Sequence, residues 1–451
     1  MPASPRRSPS AAPHQGTPAS LPLWQLLAHC ADAVSAVQSG RSLTDALDAC
    51  PAAARPGTQA LSFAVMRRLG LARALRGLLV ARKPAPWVDG LLTSALALAC
   101  GTEYPAHTLV DQAVDAAKRK ARPASGMVNA VLRRFLRERD ALIAQAQQDP
   151  QARWNHPLWW IERLQQDWPE HWMALLDANQ HAAPMMLRVN RRQRSVTDYQ
   201  QQLQDLGHPS RAFGDAGLVL DQALPVHQLP GFEAGDVSVQ DASAQRAAPL
   251  LLQAGLSAGA RVLDACSAPG GKTAHLLEAL DVQMLALDTD AQRLQRVDQT
   301  LARLHLSART QAADASQTAL WWDGQRFDAI VLDAPCSASG IVRRHPDVRW
   351  LRRASDIDAL AATQDRLLDA LWPLLAPGGL LLYCTCSLFK QEGQARIDAF
   401  LQRQPQAQAL PAPGHLLPVV EYPDASLPEA TPVSGDGFFY ALLRKPALAE
   451  Q

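Results

Sequence analysis

What the sequence lacks narrows it first. Its seven cysteines, at 30, 50, 100, 266, 336, 384 and 386, include no Cys-x-x-Cys pair and have no histidine set nearby. Neither a disulfide framework nor a metal site is indicated, and the expected compartment is reducing cytoplasm. No apolar run approaches the roughly 20 residues that cross a bilayer. The most apolar, Leu91–Cys100, reads as a buried helix, so no membrane association is expected. Residues 1–20 lack an apolar segment and are rich in Pro, Ser and Ala, which argues for a disordered tail over a secretory signal. Two nucleotide signatures are missing as well. Gly271-Lys272-Thr273 would end a P-loop, but Cys266 stands where its first glycine belongs, and the adjacent Gly270 and Gly271 do not give Gly-x-Gly-x-x-Gly spacing.

Net charge is also nearly absent, at +1, yet it is unevenly spread. Residues 1–150 carry 18 Lys+Arg against 10 Asp+Glu, whereas residues 231–451 carry 19 against 25. A basic first third beside an acidic last half is either a nucleic-acid footprint or a solvated helical surface. With 47% hydrophobic and 19% charged residues, the chain has a soluble globular balance, and its length predicts two or three domains.

From about Leu21 to Ala146 the periodicity is helical throughout. In Gly126–Asp140 it predicts Val128, Val131, Leu132 and Phe135 inside, with Arg133, Arg134, Arg137 and Arg139 outside. Residues 151–235 differ. Trp154, Trp159, Trp160, Trp168 and Trp172 fall on helices broken by Pro157 and Pro169, as packing residues or as stacking platforms for bases. Strands at Met186–Asn190 and Gly217–Asp221 flank a helix over Ser195–Leu206, making a small α+β module with a basic edge of Arg188, Arg191, Arg192 and Arg194.

Beyond Asp236 strands and helices alternate. Strands are predicted at Arg261–Asp264, Met284–Asp288, just before Asp314, at Phe327–Asp333 and at Leu380–Cys386; helices are predicted at Ala291–Leu304 and Asp356–Leu375. The runs Ile330-Val-Leu332 and Leu380-Leu-Leu382 suit a parallel sheet covered on both faces. Residues 403–435, rich in Pro and Ala, read as a loop or insertion, and Gly437–Arg444 as a closing strand.

The organising stretch is Arg261–Thr273. A strand ends in Asp264, a turn follows through Cys266, Ser267, Ala268, Pro269, Gly270 and Gly271, and a helix begins at about Lys272. Strand, glycine turn and helix place free backbone N–H groups beside the carboxyl end of a parallel strand, where open α/β sheets bind ligands. With Asp288 ending the next strand, the pattern suits S-adenosylmethionine: one acid near the ammonium, another on the ribose hydroxyls. An ordinary βαβ crossover with an incidental Gly-Gly turn is the alternative.

Two further segments carry chemistry, Asp333-Ala-Pro-Cys336 and Tyr383-Cys-Thr-Cys386. Methyl transfer to an exocyclic amine needs no thiol, but carbon-5 of a pyrimidine is not nucleophilic until a thiolate adds at carbon-6. A carboxyl group near ring nitrogen-3 stabilises the charge that develops, and Asp333 is placed for that. Buried, inert cysteines would be the plain alternative.

On these motifs the chain resembles the Sun-type (Nop/Sun) RNA cytosine-5-methyltransferases, and the resemblance covers most of its length. It implies a Rossmann-like α/β methyltransferase domain over 236–446, a small α+β linker over 151–235 and an all-α NusB-like RNA-binding domain over 21–150. It also implies Cys386 as nucleophile, Cys336 assisting release of the product, and Cys266–Lys272, Asp288, Asp314 and Asp333 lining the S-adenosylmethionine site. Gly126–Arg139, Met186–Asn190, Ser238–Asp241 and Arg343–Trp350 are similar to a bacterial branch that methylates one cytosine of small-subunit ribosomal RNA. A monomer acting on that RNA is expected. The alternatives are the same chemistry on another RNA such as transfer RNA, or a non-catalytic RNA-binding assembly factor. Arg343, Arg344 and His345 read as RNA-phosphate ligands or as a loop-ordering cluster. Cys384 stands where the family has a small residue, as filler or as a redox liability beside Cys386.

Overall fold

The computed structural model describes residues 21–420 and 434–447. The expected tail at 1–20 and most of the Pro-rich stretch from 421 lie outside them. The chain divides at Gln148 into two compact units.

The first unit is all helix, from Leu23–Gln38 to Arg139–Ala146. Local chemistry sets its boundaries. Ser42 accepts a hydrogen bond from the Asp45 N–H at the start of one helix, and prolines occupy the first turns of Arg55–Met66 and Pro86–Ala99. The segment Leu91–Leu98 is wholly buried, as its composition predicts. In Ser125–Arg137 the buried side are Val128, Val131, Leu132 and Phe135. That helix ends at Glu138, which leaves helical geometry, and a separate helix takes up Arg139.

The second unit holds two sheets. The smaller is antiparallel, built from β1 (Met186–Val189), β2 (Ser210–Phe213), β3 (Gly217–Leu220) and β4 (Val237–Val239) in the order β2-β3-β1-β4. The helix Val196–Asp205, capped by Ser195, packs Tyr199 and Leu203 on Leu187, Val189, Leu218 and Leu220. Two of these strands were not visible in the sequence. β2 is a four-residue edge strand, and β4 lies past residue 235, so the module takes its fourth strand from beyond the expected boundary.

The larger sheet has seven strands: β5 (Arg261–Asp264), β6 (Gln283–Asp288), β7 (Arg309–Ala312), β8 (Phe327–Asp333), β9 (Leu375–Thr385), β10 (Gln408–Leu416) and β11 (Phe438–Arg444). Their order is β10-β11-β9-β8-β5-β6-β7, parallel from β9 to β7, with β11 and β10 added antiparallel. Alternation along each strand feeds two cores. Val262, Ala286, Val331 and Leu382 point to one side, and Leu263, Leu285, Ile330 and Leu381 to the other. β10 corrects the reading of 403–435 as loop. It is the edge strand, where Pro411 and Pro413 cost no ladder bond, and its register shifts between Leu410 and Gly414. Among the described residues no helix is long and apolar enough to cross a membrane.

Candidate active site

The site lies where β5, β6, β8 and β9 end. After Asp264 the chain turns through a cis Ala268–Pro269 peptide into the helix Gly271–Ala279. Gly270 has φ +98°, which calls for glycine, and a Cβ there would also sit close to Val297 Cα, at 3.2 Å. The turn is tied to its neighbours: Ser267 N–H donates to the Leu287 carbonyl (2.8 Å), Ala268 N–H to Asp288 Oδ2 (3.2 Å), and Arg293 to the Ala268 carbonyl (3.0 Å).

Acids surround this turn. Thr273 donates to Asp264 Oδ2 at 2.6 Å, but Asp264 Oδ1 and the Ser267 hydroxyl are buried without a partner. Burial pushes the Asp264 carboxyl up to about 6, against the Thr273 hydrogen bond and with the Asp333 charge adding to it. Buried orphan acceptors at a glycine turn, among several carboxylates, fit a ligand that brings an ammonium, hydroxyls and a sulfonium charge. S-adenosylmethionine has that donor set. Lys272 Nζ is 2.6 Å from Asp333 Oδ2 and 5.2 Å from the centre of the Phe438 ring. Burial opposes its charge, but the Asp333 carboxylate overrides that and holds the ammonium well above the ordinary lysine range. Asp314 stands apart, turning its carboxylate to its own turn, Ser316 N–H (2.9 Å) and Ser316 Oγ (2.7 Å). Burial, with the nearby acids, raises the Cys266 thiol.

The two thiols meet through strand register. Asp333 and Cys384 are partners across the parallel β8–β9 ladder, and each strand runs on two or three residues to a cysteine. Cys336 Sγ and Cys386 Sγ are 3.5 Å apart, and both are partly exposed. The hydrogen bond that the Cys336 thiol shares with Cys386, then burial and the Cys386 and Glu392 charges, raise the Cys336 thiol well above its usual value, so Cys336 keeps its proton. Cys384 is fully buried on the same sheet face, and its thiol donates to Asp333 Oδ1 at 3.6 Å. Filler is therefore only part of its role. Lys272 and Cys384 hold the two oxygens of Asp333.

Behind Cys336 the chain needs Gly340. Its N–H donates to the Cys386 carbonyl and its carbonyl accepts from Gly437 N–H, both at 2.9 Å, and a Cβ would meet the Gly437 oxygen at 2.0 Å. Arg343 and Arg344 order this region by ion pairs to Asp436, and Arg344 also reaches Asp241 at 2.8 Å. Loop ordering is thus what their contacts serve. The tryptophans pack: Trp160 is buried edge-on to Phe389 (5.0 Å), and Trp168 Nε1 donates to the Leu388 carbonyl (2.8 Å), bracing the segment that follows Cys386.

Of the basic edge expected at 188–194, Arg191 and Arg192 are exposed, but Arg188 is drawn inside and Arg194 is partly covered. Arg188 is buried against Glu278 (2.7 and 2.9 Å), bonds Gln240, and donates to the Gly271 carbonyl at 3.0 Å. Arg192 and Arg194 pair with Asp281 and Asp236. Arg188 and Gln240 thereby fix the start of the cofactor-turn helix. Sequence reasoning missed this, because Glu278 lies ninety positions away. It also missed Glu392, and Arg352, which donates to the Ser337 and Cys336 carbonyls at 3.1 and 3.2 Å; their partners are again set only by the fold.

Comparison with known proteins places these features in a lineage. The family model described as 16S rRNA methyltransferase RsmB/F matches residues 252–444. A ferredoxin-like domain of RsmF/B-like methyltransferases matches 156–227, and the NusB family matches 25–137. The ribosomal RNA small subunit methyltransferase B of Vibrio cholerae is 41% identical over 91% of this chain and 94% of its own. That of Xanthomonas campestris is 46% identical over 90% and 93%. Among solved structures, PH0851 shares the fold with TM-score 0.75 at 23% identity, over 95% of this chain and all of its own. NSun6 from Pyrococcus horikoshii, solved with SFG, an S-adenosylmethionine analogue, shares it with TM-score 0.55 at 18% identity, over 64% and 98%.

Proposed function

The chain belongs to the family of 16S rRNA methyltransferases RsmB/F, and from that premise we propose that it methylates carbon-5 of one cytosine in small-subunit ribosomal RNA through a covalent bond to Cys386. It is an RNA methyltransferase with a Rossmann-like catalytic domain, and S-adenosylmethionine is its methyl donor. The observation that carries the carbon-5 reading is the pair of partly exposed thiols 3.5 Å apart, one strand-end away from Asp333. An amine-directed enzyme has no use for either.

In the proposed reaction, Cys386 Sγ adds to carbon-6 and sends the double-bond electrons to carbon-5. Bound S-adenosylmethionine supplies an activated methyl group on a sulfonium sulfur. The proton that Cys386 gives up goes to ring nitrogen-3, and the Asp333 carboxylate, held by Lys272 and Cys384, accepts from the resulting N–H and stabilises it. Loss of the carbon-5 proton to solvent water restores the double bond and expels the Cys386 thiolate, and protonated Cys336 beside it assists that release. Asp264, the turn Cys266–Lys272 and Asp288 would hold the cofactor. Asp314 would join them from the edge of the sheet.

A base in folded RNA must leave its stack to reach such a site, so the target is a loop or bulge. We assign RNA binding to the basic helical unit, where Arg133, Lys118 and Arg137 are exposed. We propose that it acts in the cytoplasm as a monomer.

The test is transfer of labelled methyl from S-adenosylmethionine to unmodified, protein-free small-subunit ribosomal RNA, with nucleoside analysis. Labelled 5-methylcytosine at one position is the expected result. Label accepted by transfer RNA instead would keep the chemistry and overturn the target.

A further inference from the structure

Cys336 and Cys386 sit on different loops, fifty residues apart in sequence, and a strand ladder fixes their backbones only as far as Asp333 and Cys384. Beyond that point Gly340 N–H reaches the Cys386 carbonyl and the Ser339 hydroxyl accepts from Leu388 N–H, but both act on the far side of the Cys336 loop, and the stretch next to Cys336 itself must be held by something else. The residues immediately after them, Ser337 and Ser387, are fully buried, and so is Glu392. We propose that Glu392 is a positioning residue that sets the spacing of the two thiols, because its carboxylate bonds to the residue following each of them. This rests on the two-thiol reading of the site.

Four donors converge on that carboxylate. Oε1 accepts from Ser337 N–H at 2.8 Å and from Gln364 Nε2 at 3.4 Å. Oε2 accepts from the Ser337 hydroxyl and, at 2.6 Å, from the Ser387 hydroxyl. An ionised carboxylate has about four acceptor positions and no proton to place, so it matches this set, whereas an amide would aim an NH₂ at a donor. Gln364 also donates to the Pro335 carbonyl at 2.9 Å, so the residues on both sides of Cys336 are tied to one cluster. Glu392 itself is anchored to β9: its carbonyl accepts from Tyr383 Oη at 2.8 Å and Thr385 Oγ1 at 3.3 Å. The strand carrying Cys386 therefore positions the carboxylate that grips the loop carrying Cys336.

A buried charge held by neutral donors is costly unless every lone pair is used. An apolar side chain would fill the same volume with less penalty. What the carboxylate provides is a fixed relation between two loops that share no continuous secondary structure. Its charge also helps keep Cys336 protonated.

The test compares full-length wild type with Glu392→Gln. Two quantities are read: kcat and KM for ribosomal RNA, and the rate at which diamide joins Cys336 to Cys386, mapped by mass spectrometry without RNA or cofactor. The expected result is a kcat lower by about 100-fold, KM within about threefold, and slower cross-linking by about tenfold. Wild-type cross-linking in Glu392→Gln would overturn the proposal, whatever happens to kcat. If Glu392→Gln does not fold, Ser387→Ala removes one donor and is expected to show the same pattern, more weakly. If wild type itself transfers no methyl, the two-thiol chemistry fails, while the cross-linking comparison still decides whether Glu392 sets the spacing.

Discussion

Lys272 Nζ and Asp333 Oδ2 lie 2.6 Å apart, joining the first helix of the catalytic sheet to the end of β8. The lysine side chain is 9% exposed and the aspartate 32%. Lys272→Met removes the cation and leaves Asp333 facing acids. Because Asp333 is partly solvated, the stability cost is about 1–3 kcal/mol, below that of a fully buried pair. Thermal unfolding with and without S-adenosylmethionine measures it, and the variant is expected to lose most of the cofactor's stabilising shift.

Cys386→Ala is expected to abolish methyl transfer, by at least about 1,000-fold. Cys336→Ala is expected to behave differently, accumulating a protein–RNA adduct that survives denaturing electrophoresis. Should both variants keep half the wild-type rate, neither thiol acts as proposed.

Gly270→Ala tests the cofactor turn. With φ at +98° and Val297 Cα 3.2 Å from the new methyl, the turn must distort. A loss of about 1–2 kcal/mol in stability follows from the φ penalty and the contact together. Calorimetry is expected to show S-adenosylmethionine binding weakened more than RNA binding.

Asp264 gives a pH dependence with a definite sign. Its carboxyl is raised to about 6 in the folded protein, so the native state binds this proton more tightly than the unfolded chain does. Its contribution to stability therefore falls as pH rises from the ordinary carboxylate range through about 6. A cationic ligand favours the ionised form, so cofactor affinity is expected to rise over the same window, by about tenfold between pH 5 and 7. Asp264→Asn is expected to bind weakly with little pH dependence. Flat wild-type affinity across that range would remove Asp264 from the ammonium site.

Much of this was legible locally. The strands Arg261–Asp264 and Phe327–Asp333 have the bounds that their apolar runs predict, and the Gly-Gly turn and both cysteine motifs announce themselves in a few consecutive residues. Elements that depend on an edge were not legible. The Pro411- and Pro413-containing β10 looks like a loop because an edge strand tolerates what a central strand does not. β9 begins five residues earlier than expected, since Pro377-Gly378-Gly379 looks like a break and is instead carried within the strand. Charge partners were hidden for a third reason. Arg188 reads as a surface base until the fold brings Glu278 beside it, and Glu392 has no local pattern that distinguishes it from a solvated glutamate.

The ladder pairing of Asp333 with Cys384 has a consequence for how such a chain can vary. The spacings from Asp333 to Cys336 and from Cys384 to Cys386 are measured from a common rung, so a single inserted residue in either would pull the thiols out of register. The helical excursion between them, from Val348 to Leu371, is tied to the Cys336 segment at two of its side chains, Arg352 and Gln364. Lineages can therefore vary the length of that excursion on either side of those two anchors while the reacting atoms stay where they are.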